Sequence, residues 1–146
     1  WQQFTLSGCR GKEDQDRGGR YLIVDISDSQ RPIVTRAGRT QFLQQYFRYI
    51  KPGAKRIDAD SRVEALDPIA FVNPDGRWTV VVKADEARSF AISGLPPGDY
   101  GVTYTVGPDS KTPREAGVDA GSVTISENQP LQASIPQRGV ITIFGR

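Results

Sequence analysis

The chain has 146 residues, 37% hydrophobic and 25% charged, and its 19 basic and 17 acidic residues leave a net charge of +2. That length buries the core of about one domain, and charge so evenly spread does not build the concentrated basic face of a nucleic-acid binder. Histidine is absent and Cys9 is the single cysteine, which removes the commonest general base, an internal disulfide and any multi-cysteine zinc site.

In chain order, Trp1 to Leu6 reads as a short strand, and Ser7 to Arg20 has the glycine-rich, mixed-charge composition of a loop. Tyr21 to Ile26 (YLIVDI) is an apolar run of strand length, followed by a turn over Ser27–Arg31 and by Pro32. Arg31, Arg36 and Arg39 form the densest basic spacing and read as a solvated loop and helix start. Phe42, Leu43, Tyr46, Phe47, Tyr49 and Ile50 then recur at spacings of three and four, an apolar stripe on one helix face. Thr40 is the expected N-cap, and Lys51-Pro52-Gly53 ends the helix. Such a stripe is a packing surface.

Every later signal is β. Ala54–Ile57 and Val63–Leu66 are short candidates, and Ile69–Val72 and Trp78–Lys83 flank Asn73-Pro74-Asp75-Gly76 as a hairpin. Ser89–Ile92, Tyr100–Val106, Val118–Ser126, Leu131–Ile135 and Val140–Phe144 complete the series, with a polar loop over Gly107–Gly117. Short strands with no helix between them predict a mostly β chain: an antiparallel Greek-key sandwich of about seven to nine strands. The alternation puts Trp78 with Val80 and Val82, and Tyr100 with Val102, Tyr104 and Val106, on the face expected inside. Thr79, Val81, Thr103 and Thr105 fall on the other face. Aromatic rings that travel with aliphatics argue for core and against an exposed sugar-stacking platform.

No catalytic constellation stands out. Glu13, Asp14 and Asp16 lie in the first loop, Asp67 precedes a proline, and Asp75, Asp85, Glu86 and Asp99 lie at or near turns, where carboxylates cap backbone. No pair is set apart as the two carboxylates of glycoside hydrolysis must be. Asp58-Ala59-Asp60-Ser61 lacks the ligand spacing and central glycine of a calcium loop. Cys9 has no imidazole partner to activate it. The expectation is no catalytic residue, no metal site, no cofactor and, with no run of 18 apolar residues, no membrane span. The opening Trp1-Gln2-Gln3-Phe4 has no initiator Met and reads as cut from something longer.

Three segments carry a family likeness: QFLQQYFRYIKPGAKRID (41–58), AFVNPDGRWTVVV (70–82) and LQASIPQRGVITIFG (131–145). The chain resembles the C-terminal part of family 30 glycoside hydrolases, the glucosylceramidase, xylanase and β-1,6-glycanase group, in which a (β/α)8 barrel is joined to a side β-sandwich. WQQF is similar to the last barrel strand, where Phe4 stands in place of a second Trp, and GGRYLIVD to the segment after it. The resemblance implies that residues 1–50 are the barrel's last strand, loop and helix and that residues 51–146 are the sandwich. Both catalytic glutamates of the family would precede Trp1. Trp1 would line the sugar pocket, and Arg10, Arg17 and Arg20, in the loop bordering the cleft, would contact an acidic sugar. The family's sandwich also takes a strand from before the barrel, so a sheet edge would await another segment or chain.

The function that follows is a non-catalytic sandwich supporting the barrel of the same or a companion chain, in a secreted enzyme, extracellular or periplasmic, that degrades polysaccharide. The alternatives are an independent carbohydrate-binding module and a protein-binding sandwich.

Overall fold

The computed structural model describes residues 6–7, 22–25, 28, 30–31, 33–107 and 115–146. Three short strands come first, β1 (Leu6–Ser7), β2 (Leu22–Asp25) and β3 (Ile33–Arg36), joined in the order β1-β2-β3 with β1 parallel and β3 antiparallel to β2. A single helix follows among the described residues, α1 (Gly38–Phe47). The rest is β4 (Lys55–Ile57), β5 (Leu66–Val72), β6 (Trp78–Ala84), β7 (Arg88–Ile92), β8 (Gly98–Val106), β9 (Glu115–Ile125), β10 (Leu131–Ile135) and β11 (Gly139–Gly145).

These strands form a six-stranded antiparallel sheet, β4-β5-β6-β11-β8-β9, and a two-stranded sheet, β10-β7. The last strand inserts between β6 and β8, pairing antiparallel with both, a crossover of the Greek-key kind. The expected antiparallel sandwich, preceded by a strand and helix segment, is what the chain forms.

The core fills the space between the two sheets. Leu66, Ala70, Val80, Val82, Tyr100, Val102, Ile141 and Ile143 of the large sheet meet Leu131 and Ile135 of β10, with Phe90, Ile92 and Ala133 packed against them. Trp78 and Tyr104 join the same cluster from its margin, so the rings assigned inward by the period-two rule are inward. Tyr100 adds a polar anchor, its hydroxyl donating to the Pro96 carbonyl at 2.8 Å. A tyrosine tied back to the backbone just upstream is a recurring brace of sandwiches.

Local chemistry explains the turns. In the β5–β6 hairpin the Asn73 amide donates to the Arg77 carbonyl at 2.8 Å, and Gly76 takes φ +79°, a conformation costly to any residue with a Cβ. Asp75 Oδ1 accepts from the Arg77 amide at 3.1 Å, the short-range carboxylate bond that favours Asp in turns. Pro68 sits within β5 at a position beyond the reach of β4, which covers Ala70–Val72 only. Lacking an N–H, proline is tolerated where one flank of the strand has no partner.

Several expectations need correction. Ile33–Arg36, read as loop, is a strand whose β-branched Ile, Val and Thr suit it. Val63–Leu66 is not a strand of its own; the chain turns there, with the Leu66 amide bonded to the Val63 carbonyl at 3.0 Å, and β5 starts at Leu66 and runs on through Ile69–Val72. The helix begins at Gly38, with Ala37 at the cap and no side-chain cap bond, in place of Thr40. Its regular part ends at Phe47, because the Tyr49 and Ile50 amides both turn back to the Tyr46 carbonyl. Of the strand expected over Trp1–Leu6, only Leu6 is among the described residues.

A candidate functional site at the helix–sheet junction

The six-stranded sheet has two buried faces. One is the apolar core; the other carries Thr79, Val81, Thr103, Thr105, Val140 and Thr142, all buried. Helix α1 packs on that second face, against β8, β9 and β11. The threonines that alternation sent outward are therefore covered. The helix meets them with an amide: its buried residues are Gly38 and Gln45, and Gln45 is 2% exposed. Phe42, Leu43 and Tyr46 of the apolar stripe are half-buried, and Phe47 is 57% exposed.

Hydroxyl groups supply the directional contacts. Gln45 Nε2 donates to Thr105 Oγ1 at 2.9 Å, and that hydroxyl donates to the Gln41 carbonyl at 3.3 Å and accepts from the Gly117 amide at 3.0 Å. Thr142 Oγ1 donates to the Gln45 carbonyl at 2.9 Å, so one of the carbonyls left over at the helix end is satisfied from the sheet. Gln45 Oε1 finds no partner among the described residues.

A second clamp closes the helix exit. Asn73 Nδ2 donates to the Tyr49 carbonyl at 2.9 Å and to Thr79 Oγ1 at 3.2 Å, while its Oδ1 accepts from the Lys51 amide at 2.9 Å. Thr79 Oγ1 also donates to the Tyr49 carbonyl, at 3.2 Å. One buried asparagine thus ties the Lys-Pro-Gly turn to the hairpin. Beside it Tyr49 stacks on Phe144 with ring centroids 4.2 Å apart. Phe144 lies over Gly101, where a Cβ would stand 2.3 Å from its Cζ, so the ring's seat requires a glycine.

Electrostatics here follow from burial. The Tyr46 hydroxyl is raised above its ordinary value by desolvation and then by the Asp67 carboxylate. Tyr104 is raised by desolvation, then by the hydrogen bond it donates to Glu115 at 3.0 Å and by that charge. Neither is arranged for proton transfer: Tyr46 lies against the sheet and Tyr104 ends at a surface carboxylate. Among the described residues no group of three or more Cys, Asp or Glu could hold a metal, and no helix is long and apolar enough to cross a membrane. The carboxylates at Asp58, Asp60, Asp75, Asp85, Glu86 and Asp99 are each exposed.

The residues singled out for sugar contact, Trp1, Arg10, Arg17 and Arg20, lie outside the described residues, as does Cys9. Arg31, Arg36 and Arg39 are exposed as expected, and Arg36 Nη1 reaches Gln44 Oε1 of the helix at 3.2 Å. What the sequence reading missed are Gln45, Thr105, Thr142 and Asn73. Their one signal was the period-two row of threonines, which marks a shared face without saying what covers it.

The Glycosyl hydrolase family 30 beta sandwich domain matches residues 53–143. Solved structures of other proteins share the fold. The catalytic domain of GH30 xylanase C from Talaromyces cellulolyticus superposes with a TM-score of 0.60 at 23% identity, covering 84% of this chain and 27% of that one. SrfJ from Salmonella typhimurium gives 0.56 at 16% identity, covering 88% and 21%. This chain therefore spans about a quarter of those proteins. No curated protein sequence matches it. With the family model matched over more than half of the chain, the chain belongs to glycosyl hydrolase family 30, and residues 53–143 are the family's non-catalytic β-sandwich domain.

Proposed function

We propose that this sandwich braces a catalytic (β/α)8 barrel, carried by the same or a companion chain, in a secreted enzyme that hydrolyses glycosidic bonds of a polysaccharide. The observation that carries the reading is the two-sided helix. One side of α1 is bonded to the sheet through Gln45, Thr105 and Thr142, while Phe47 is 57% exposed and Ile33, on the strand before it, 60%. A helix locked from below, with Phe47 exposed at its end and Ile33 exposed on the strand before it, offers a surface to pack against. The inward placement of Tyr100, with Trp78 and Tyr104 at the core margin, weighs against a separate carbohydrate-binding platform, which needs rings facing solvent.

The test is reconstitution. The barrel of the parent enzyme, prepared separately, is mixed with this chain, and nitrophenyl glycoside hydrolysis and complex formation are followed. The chain alone is expected to turn over nothing and to bind the barrel. Phe47→Asp is expected to weaken that binding at least tenfold, with the chain's own unfolding free energy measured alongside to separate lost docking from lost folding. Turnover by the chain alone, or barrel binding indifferent to Phe47→Asp, overturns the proposal.

A further inference from the structure

At the C-terminal end of α1 lies a concavity of about 280 Å³ bordered by Arg48, Lys51, Arg77 and Arg146, with Asp75 as its one carboxylate side chain. Four cationic side chains against one anionic side chain leave a local side-chain excess of three, or two once the carboxylate that ends the 146-residue chain at Arg146 is counted, where the side chains of the entire chain sum to +2. The cations arrive from separate elements: the helix exit, the β5–β6 turn and the residue following β11.

Helix capping explains part of this cluster and not the rest. Lys51 Nζ donates to the Arg48 carbonyl at 2.9 Å, and the Arg48 guanidinium sits 5.6 Å from the Tyr49 ring centroid, both suited to the negative end of a helix. Arg77 and Arg146 do not cap it. Arg77 meets Asp75 only at 3.8 Å, beyond hydrogen-bond reach, with both side chains more than half exposed. The Arg146 side chain has no partner among the described residues. The wall is rigid: Tyr49 and Phe144 stack against each other, and Asn73 and Thr79 are held by the bonds that close the helix exit.

We infer that this concavity binds a tetrahedral dianion, a phosphate monoester on a small molecule or a glycan, or the free phosphate or sulfate ion. Guanidinium forks match such oxygens in pairs, and an excess of two or more positive charges is better offset by a dianion than by a lone carboxylate. The volume is at the small end of ligand sites, which suits one charged sugar unit. The inference does not depend on the bracing role proposed above.

Titration calorimetry of the full 146-residue chain at constant ionic strength tests it, with inorganic phosphate, sulfate, a sugar phosphate, a sugar sulfate, glucuronate and chloride as titrants. Saturable one-to-one binding is expected for the dianions inorganic phosphate, sulfate and the sugar phosphate, at least tenfold weaker for the singly charged sugar sulfate and glucuronate, and none for chloride. Binding of the sugar phosphate but not of the inorganic ions assigns the site to the ester; the reverse assigns it to the free ion. Below about pH 6, where phosphate drops to a single charge, phosphate binding is expected to weaken while sulfate binding persists. Arg77→Gln should weaken binding at least tenfold, Asp75→Asn, which keeps the turn bond to the Arg77 amide, should strengthen it severalfold, and Arg62→Gln should change nothing. Chloride matching sulfate, glucuronate equalling it, or indifference to both Arg77→Gln and Asp75→Asn overturns the inference.

Discussion

Asn73 is the most exposing position to perturb, because a turn residue by sequence acts as a clamp in the fold. Replacing it with Ala leaves the hairpin intact, since the turn is closed by backbone bonds from the Asn73 and Gly76 amides. What is lost are its two donor bonds, to the Tyr49 carbonyl and Thr79 Oγ1, and the acceptor for the Lys51 amide. Each such bond is worth about 1 kcal/mol net. The Tyr49 carbonyl keeps Thr79 Oγ1, and the Lys51 amide gains access to water, so the expected cost is about 2–3 kcal/mol. Asn73→Asp separates the donor from the acceptor role. It keeps an acceptor for Lys51 but sets a carboxylate against the Tyr49 carbonyl, so at neutral pH it should cost more than Ala. The crowded carboxylate has a raised pKa in the folded state, so the folded chain holds a proton that the unfolded chain has released. Its penalty is therefore absent at low pH and grows as pH rises through the carboxylate range. Urea unfolding followed by tryptophan fluorescence gives both numbers, with Arg62→Ala as the exposed control. An Asn73→Ala cost below about 0.5 kcal/mol, the level of a surface site, or an Asn73→Asp penalty that ignores pH, refutes the clamp.

Gly101→Ala places a methyl 2.3 Å from Phe144 Cζ and should destabilise by about 1–3 kcal/mol through overpacking; Phe144→Leu in the same chain should recover part of that cost, a coupling read from the double-mutant cycle. Stability should hold up to the ordinary tyrosine pKa of 10.0 and fall as pH rises beyond it, because Tyr46, Tyr100 and Tyr104 all titrate late in the folded state and the unfolded chain loses those protons first. Tyrosinate absorbance of the folded chain should show that delay directly, and its absence would contradict the burial argument.

How much of this was legible in the sequence depends on whether a neighbour had to be known. Leu131–Ile135 was read with the bounds it has, and the Asn-Pro-Asp-Gly hairpin was placed because its turn chemistry is local. Trp78 and Tyr100 were sent inward correctly because alternation reports which residues share a face. Alternation cannot report whether the opposite face is dry. Thr103 and Thr105 were placed only on the opposite face, and both proved buried, Thr105 against α1. The packing stripe of the helix was legible in part: Phe42, Leu43 and Tyr46 are half-buried and Tyr49 stacks on Phe144. That stripe suggested the packing face, yet Gln45 is the helix's deepest long side chain and Phe47 is exposed. The surface beneath it is made of hydroxyls, so an amide fits better there than a ring. The strand Ile33–Arg36 was lost among arginines, its four residues being too few to establish a period.

The two faces of the large sheet do different physical jobs. The face toward β7 and β10 is built of Val, Ile and Leu, and apolar contact there is strong but indifferent to small slides and rotations. The face toward α1 sets threonine hydroxyls against helix carbonyls and one amide, bonds that hold only at particular distances and angles. Gln45 and Gln41 are fixed from Thr105 and Thr142, and Tyr49 from Asn73 and Thr79. Two such anchor groups, one within the helix and one past its end, determine both its rotation and its position along the sheet. Leucines in place of the threonines would still attract a helix but would not settle which residues it turns outward. A brace has to present a defined surface, and here the hydrogen bonds supply that definition while the core supplies most of the stability.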